Sequence, residues 1–201
     1  METINKNRVA ILDFGSQTTQ LIARRVRELQ VYSEVFPCTV SYENIDKFSP
    51  SAIILSGGPL SVHEEFAAIM PSWLWEFNVP VLGICYGMQW MCESLGGKVV
   101  PGESREFGFT EMTVDDDTGF FGGINPETVV WMSHGDRVAE LPAGFRRLAH
   151  SADCPEAAVG DPDRGFYGLQ FHPEVAHTPE GVAMLENFLK KVAGCEGDWT
   201  P

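Results

Sequence analysis

Short apolar runs alternate with amphipathic segments through the first half of the chain. The apolar runs have the length of buried strands and lie at 8–14, 31–37, 51–59 and 79–85. Between and after them, apolar residues recur at helical spacing in three segments, 18–30, 64–77 and 86–97. Pro71 is expected to kink or restart the second of these helices. This alternation predicts βαβ units, and hence an α/β fold with an open, mostly parallel central sheet and helices on both faces.

The pattern of apolar and polar positions changes after residue 98. Shorter apolar pieces separated by Gly, Pro and Asp continue to residue 176 and predict antiparallel or mixed strands. Residues 179–194 then predict a closing amphipathic helix. A length of 201 residues fits a single domain. We therefore expect one domain over 1–194, with 195–201 as the start of a linker because that tail has no periodicity.

Charge and cysteine content narrow the classes of function. The net charge of −14 at pH 7 argues against direct contact with nucleic acid or with an anionic membrane surface. No window approaches the length of a membrane-spanning helix, and the N-terminus lacks a signal-peptide pattern. The cysteine count is odd and no C-x-x-C pair occurs, so neither a disulfide framework nor a zinc knuckle is expected, and no metal ligand is predicted. A reducing, cytoplasmic location is the expectation.

Cys85 lies between two glycines where a predicted strand meets a predicted helix. Residues 83–87 are Gly-Ile-Cys-Tyr-Gly, the cysteine form of the G-x-S-x-G nucleophile elbow. Glycines two residues before and after the cysteine allow a sharp turn that lifts its side chain out of the sheet. The thiol then sits at a helix N-terminus, where the macrodipole and free amides favour the thiolate. The pattern predicts a nucleophile at the carboxyl edge of a parallel sheet, although alone it equally allows a buried structural cysteine.

A thiolate needs a proton shuttle, and His172 is the strongest candidate. In the segment 168–175, Pro173 keeps His172 extended, so His172 and Glu174 project to the same side of the chain. A carboxylate beside an imidazole fixes its tautomer and supports its protonated form. The remaining histidines are expected to play ordinary core or surface roles: His63, His134, His150 and His177.

The segment 56–59, Ser-Gly-Gly-Pro, ends the neighbouring predicted strand. A glycine backbone N–H there, together with that of Tyr86, would point at a developing oxyanion. Taken alone, this segment is better explained by an ordinary Gly-Pro turn.

Three motifs together, LSGGP, GICYGMQ and GLQFHPE, resemble those of the class I (triad) glutamine amidotransferases. The resemblance narrows to the glutaminase domains of glutamine-hydrolysing GMP synthases through residues 11–35, REFG (105–108), WMSHGDRV (131–138), FHPEVAHT (171–178) and the terminal GDW. The resemblance covers roughly residues 8 to 200, and all three residues of the catalytic triad match the family. It implies a flavodoxin-like α/β fold.

The resemblance implies a role for each matching residue. Cys85 attacks the side-chain amide of L-glutamine, His172 moves protons and Glu174 orients His172. The oxyanion is expected on the backbone amides of Gly58 and Tyr86. The α-amino and carboxylate end of glutamine is expected to contact Gln89 and a loop comprising Ser133, His134, Gly135 and Asp136. For His134 and Asp136, contact with a partner domain stays open as an alternative.

The resemblance also implies a partner, an ATP-pyrophosphatase (synthetase) domain or subunit that uses ammonia to aminate xanthosine monophosphate (XMP) to GMP. ATP and Mg²⁺ are expected on that partner, and no cofactor is expected on this chain, which lacks a phosphate-binding G-x-x-x-x-G-K-[ST] loop. A basic cluster, Arg24, Arg25 and Arg27, is either a docking face or a solvated helix face. Two other functions stay open: an amidotransferase of another pathway or a γ-glutamyl hydrolase on the same fold, and a catalytically silent binding or regulatory module.

Overall fold

A computed structural model describes residues 7–59, 61–62 and 72–200 of the chain. His63 and the first part of the helix predicted over 64–77 lie outside the described residues. Within that segment, Ser72–Glu76 forms a 3₁₀ helix that follows Pro71.

The described residues form one nine-stranded sheet in the order β2-β1-β3-β4-β9-β8-β7-β5-β6. The strands are β1 (Arg8–Asp13), β2 (Tyr32–Pro37), β3 (Ala52–Leu55), β4 (Val81–Ile84), β5 (Lys98–Val114), β6 (Glu127–Glu140), β7 (Arg146–Ser151), β8 (Ala158–Asp161) and β9 (Phe166–Leu169). Pairing is parallel from β2 to β9 and antiparallel from β9 to β6. The predicted α/β fold is confirmed, including the change to antiparallel pairing after residue 98.

Four α-helices cover the sheet in the described part of the chain: α1 (Thr19–Glu28), α2 (Tyr42–Phe48), α3 (Tyr86–Ser94) and α4 (Gly181–Glu186). The short α2 was not predicted from the pattern of apolar positions. The closing helix predicted over 179–194 is divided, because α4 passes into a π-helical turn, Asn187–Val192.

The two sides of each central strand feed different apolar cores. Along β1, Val9 and Ile11 pack with α1 and α4, whereas Ala10 and Leu12 pack with α2 and α3. Successive side chains of a strand point to opposite faces, so a sheet covered on both sides needs continuous apolar strands rather than alternating ones. This is why the predicted strands appear in the sequence as uninterrupted apolar runs.

The tail after residue 194 packs back onto the domain. The Trp199 backbone N–H donates to the Gln30 carbonyl at 2.8 Å, and the Trp199 ring contacts that of Tyr32. Asn7 Nδ2 donates to Asp198 Oδ1 at 2.6 Å. The tail therefore lies beside the start of β2, and its role as a linker stays a prediction.

Candidate active site

Cys85 occupies a strained turn between β4 and α3. Its φ of 51° and ψ of −109° lie where few residues other than glycine are found. A Cβ on Gly83 would lie 2.6 Å from the Met88 backbone nitrogen, and one on Gly87 would lie 2.7 Å from Leu55 Cβ. Neither contact is possible without a shift of backbone or core, so both glycines are needed for the turn, as the elbow interpretation requires.

Three neighbouring elements hold the Cys85 thiol at the carboxyl edge of the sheet. Its backbone N–H donates to the Leu169 carbonyl at the end of β9 at 2.7 Å. Its Sγ lies 3.5 Å from the Ser133 carbonyl oxygen on β6 and 3.8 Å from Gln170 Nε2. The side chain is almost buried, yet it lines an open cleft together with Gly58 and Ser133.

His172 and Glu174 form a buried pair beside this thiol. His172 Nδ1 donates to Glu174 Oε1 at 2.7 Å, and Glu174 is fully buried. The other carboxylate oxygen, Oε2, has no hydrogen-bond partner among the described residues. The Nδ1 bond leaves Nε2 free to face Cys85, so the two residues predicted from their spacing do meet on one side of the extended chain.

The surroundings of His172 favour its protonated form. Burial alone lowers the pKa of His172, but hydrogen bonds with Cys85 and Glu174 and the charge of Glu174 outweigh it, raising the pKa from 6.5 to about 10. The imidazole therefore carries a proton at neutral pH and can donate it to a leaving group.

The predicted oxyanion and substrate residues surround the same cleft of about 370 Å³, which is roughly a dozen water volumes. Its walls are formed by Gly58, Pro59, Ser61, Cys85, Tyr86, Gln89, Phe107, Ser133, His134, Gly135 and Asp136. A second pocket joins Cys85 and His172 to residues 15–18, the turn that follows β1. The fold thus brings together every residue predicted for the site, from segments far apart in sequence.

The Ser133–Asp136 segment is not the loop expected from the resemblance. It lies within β6, where Glu106 pairs with His134 and Pro101 with Asp136, and the pairing register shifts between these two positions. Within this irregular stretch, the strand residues 133–136 form one wall of the cleft. Gln89 Nε2 reaches across to the Asp136 carbonyl at 2.9 Å and ties α3 to that wall.

Three residues that support the site were missed from the sequence. Gln170 shares the alternation of His172 and Glu174, and its Oε1 accepts from Gln89 at 3.2 Å. Thr178 Oγ1 donates to the His172 carbonyl at 2.7 Å. Arg25 Nε donates to the Glu174 carbonyl at 3.1 Å. Gln170 could have been identified from the sequence, because it lies two residues before His172 on the same extended segment. The contacts of Thr178 and Arg25 are set by tertiary packing.

The basic cluster on α1 is engaged within the chain. Arg24 and Arg25 pair with Glu28, and Arg27 donates to the Ser33 carbonyl at 2.8 Å. These contacts give each arginine a structural role, and a docking role stays a prediction.

All five cysteines lie within the described residues as free thiols. Burial raises the pKa of Cys92 and Cys154 to about 12, and that of Cys195 to about 11. A thiol with so high a pKa is protonated at neutral pH unless a bound metal ion displaces its proton. Among the described residues no helix is long and apolar enough to cross a membrane.

Comparison of the sequence with family models and known proteins identifies the family of this chain. A family model described as glutamine amidotransferase class-I matches residues 10–192. "GMP synthase [glutamine-hydrolyzing]" of Acinetobacter baylyi is 53% identical over 201 residues, which cover 98% of this chain and 36% of the relative. The enzyme of the same name from Tolumonas auensis is 50% identical, over 100% of this chain and 40% of the relative. The chain thus spans about two fifths of the length of these curated relatives.

A solved structure matches over nearly its whole length. This structure, a candidate GMP synthase subunit from Thermoplasma acidophilum, is 32% identical, with a TM-score of 0.85, covering 93% of this chain and 94% of that one. A glutamine amidotransferase from Thermotoga maritima shares the fold at 19% identity, with a TM-score of 0.74, covering 92% of this chain and 97% of that one. The matched family model, together with the likeness to the Thermoplasma acidophilum protein, shows that the chain belongs to the class I glutamine amidotransferases, a family of enzymes.

Proposed function

We propose that this chain is the glutaminase component of a GMP synthase. It would hydrolyse L-glutamine to glutamate and ammonia through a thioester on Cys85. The ammonia would pass to an ATP-pyrophosphatase domain or subunit that aminates XMP to GMP, with ATP and Mg²⁺ bound on that partner.

The observation that carries the glutaminase proposal is the meeting of Cys85 with His172 and Glu174. A cysteine on a strained strand-to-helix turn faces an imidazole held by a fully buried carboxylate at 2.7 Å. A nucleophile, a proton shuttle and an orienting group in one cleft are the parts needed for acyl transfer.

In this mechanism, Cys85 Sγ attacks the side-chain amide carbon of glutamine, and the carbonyl oxygen becomes an oxyanion. The backbone N–H groups of Gly58 and Tyr86 would stabilise that charge. As the carbon–nitrogen bond breaks, the His172 imidazolium gives its proton to the departing nitrogen, which leaves as ammonia. A water then attacks the thioester while His172 takes up its proton, releasing glutamate and restoring the thiolate.

The other end of glutamine would lie against the Gln89 side chain and the Ser133–Asp136 wall. Both Nε2 donor positions of Gln89 are directed at protein acceptors, the Asp136 carbonyl oxygen and Gln170 Oε1. Its own Oε1 therefore remains to accept from the ammonium group of the substrate.

The proposal for GMP formation rests on the relatives. Those matched over the full length of this chain carry the name GMP synthase, but they are more than twice as long. The match to a solved GMP synthase subunit of nearly this length supports a separate synthetase chain as acceptor of the ammonia, whereas the longer relatives support a synthetase domain.

The test uses an electrophilic glutamine analogue that alkylates the nucleophile. Mass spectrometry is expected to find the label on Cys85, with no labelling of Cys38, a partly exposed cysteine outside the cleft. Labelling elsewhere, or none even with the loaded synthetase partner present under conditions that alkylate a known amidotransferase, would overturn the assignment. Hydrolysis of γ-glutamyl peptides at rates comparable to glutamine would instead favour a γ-glutamyl hydrolase.

The partner is tested by glutamate release with and without a synthetase loaded with ATP and XMP. We expect weak activity alone and at least a tenfold rise with the loaded partner, which corresponds to about 1.4 kcal/mol of transition-state stabilisation. A misplacement of ~1 Å in an oxyanion-hole loop costs on the order of 100-fold, so docking needs only a small shift to act. Full activity of the isolated chain, unchanged by the partner, would refute the coupling while leaving the triad assignment intact.

A further inference from the structure

A second cluster of reactive side chains lies behind the wall of the cleft. Glu106 of β5, His134 of β6 and Cys154 of the β7–β8 turn place one donor atom each within 4.8 Å of one another. All three are largely buried, with side-chain exposures of 10% for Glu106 and 5% for His134, and 1% for Cys154 as a whole. His134 also lines the glutamine cleft, but the proposed acyl-transfer steps use neither Glu106 nor Cys154 and no side-chain atom of His134.

The geometry points to a binding site for a divalent transition metal of the zinc type, formed by Glu106, His134 and Cys154 and completed by a water. Imidazole nitrogen, thiolate sulfur and carboxylate oxygen are the ligands that zinc takes in proteins, and three protein ligands plus water make a tetrahedral set. One carboxylate and one thiolate would balance the charge of the ion.

The hydrogen bonding of His134 matches that of a metal ligand. Its Nδ1 lies 3.0 Å from the Asp136 carbonyl oxygen, which can only accept, so Nδ1 carries a proton. Its Nε2 then faces Glu106 Oε2 at 2.9 Å. Two lone pairs cannot meet at that distance, so a cation must lie between them, either a proton or a metal ion. A metal-bound histidine commonly donates its other N–H to a backbone carbonyl in this way.

The three ligands are also held in place before any ion binds. Glu106 and His134 are direct partners in the β5–β6 pairing, so their side chains share one face of the hairpin. Cys154 is fixed in its turn by two hydrogen bonds with Ser151, at 2.9 and 3.0 Å. Tetrahedral bonds of ~2.0 Å place ligand atoms about 3.3 Å apart, so the Glu106–His134 pair needs to open only slightly.

An open pocket of about 250 Å³ gives the cluster a path to solvent. It is lined by Glu106 and His134, with Arg137 and Asp153 at its sides. The fourth ligand, a water, would come from this pocket. The positive charge of Arg137 would lower the affinity for a metal ion, while the negative charge of Asp153 would offset it.

An ion at this cluster would also act on the glutamine cleft. Because Ser133 and Gly135 on either side of His134 line that cleft, the ion would stiffen the wall against which substrate lies.

The probe is Co²⁺, whose thiolate complexes absorb in the near ultraviolet. The titration uses the Cys85→Ala variant of the whole chain, since the active-site thiol is a competing ligand. We expect one ion per chain, a thiolate-to-cobalt absorption band, and displacement of Co²⁺ by Zn²⁺. Adding Cys154→Ala is expected to remove the band, whereas adding Cys38→Ala should preserve it.

Glu106→Gln guards against a folding artefact because it keeps size and shape while removing the charged ligand. It is expected to weaken Co²⁺ binding at least tenfold and to abolish the rise in melting temperature that Zn²⁺ gives the Cys85→Ala parent. The site is refuted if the Cys85→Ala chain shows no band, or if the band survives in the Cys154→Ala or Glu106→Gln derivative with unchanged affinity.

Discussion

Replacing Glu174 by glutamine tests how the buried carboxylate supports His172. The substitution preserves shape and one acceptor oxygen but removes the charge 2.7 Å from Nδ1. Two opposite charges at ~4 Å in an effective dielectric of ~20 attract by about 4 kcal/mol. The retained neutral hydrogen bond is worth about 1 kcal/mol. The imidazolium should therefore lose about 3 kcal/mol of support, and the rate of glutamate release should fall roughly 100-fold.

Two measurements check this expectation. The first is glutamate release at saturating glutamine, and the second is an NMR titration of the His172 ring, whose pKa should fall from about 10 toward 6.5. The matched control is Glu180→Gln, a carboxylate six residues further along that binds Asn125 outside the cleft and should leave both readouts unchanged. A Glu174→Gln enzyme within threefold of wild type, or an unshifted His172 pKa, would refute the electrostatic argument.

The same geometry leads to three further predictions. Cys85→Ala should abolish glutamate release without lowering the melting temperature, while GMP formation from free ammonia by a synthetase partner continues; residual glutaminase activity would exclude Cys85 as nucleophile. Gly87→Ala should lower the free energy of unfolding by about 1–3 kcal/mol in a denaturant titration, because the new Cβ meets the Leu55 backbone. Unchanged stability would show that β3 shifts at no cost to make room for the Cβ. Because the folded-state pKa of His172 is raised, its contribution to stability is complete below about pH 6.5 and lost as pH rises through about 10. The stability difference between wild type and His172→Gln should shrink over that window, and a constant difference would contradict the raised pKa.

The sequence alone determined the layout of the parallel half of the sheet and the chemistry at its edge. Continuous apolar runs mark strands buried on both faces, and α1 follows from its helical periodicity. The elbow around Cys85 is a local feature, since Gly83 and Gly87 are required by contacts with the turn itself and with the adjacent strand. His172 and Glu174 were found because extended backbone places residues two apart on one side.

Which of these segments contact one another was decided only by the tertiary structure. Short α2 carries too few apolar positions to stand out by pattern, and it forms because Ile45 packs on the sheet. The approach of the Ser133–Asp136 segment to Cys85, the Arg25 contact with Glu174 and the Glu106–His134–Cys154 cluster all join residues far apart in the chain. Sequence spacing fixes which side chains share a strand or a helix face, but distances between segments are set by strand register and packing. The triad could therefore be proposed from local patterns, whereas its supports and the second cluster became visible only in the folded chain.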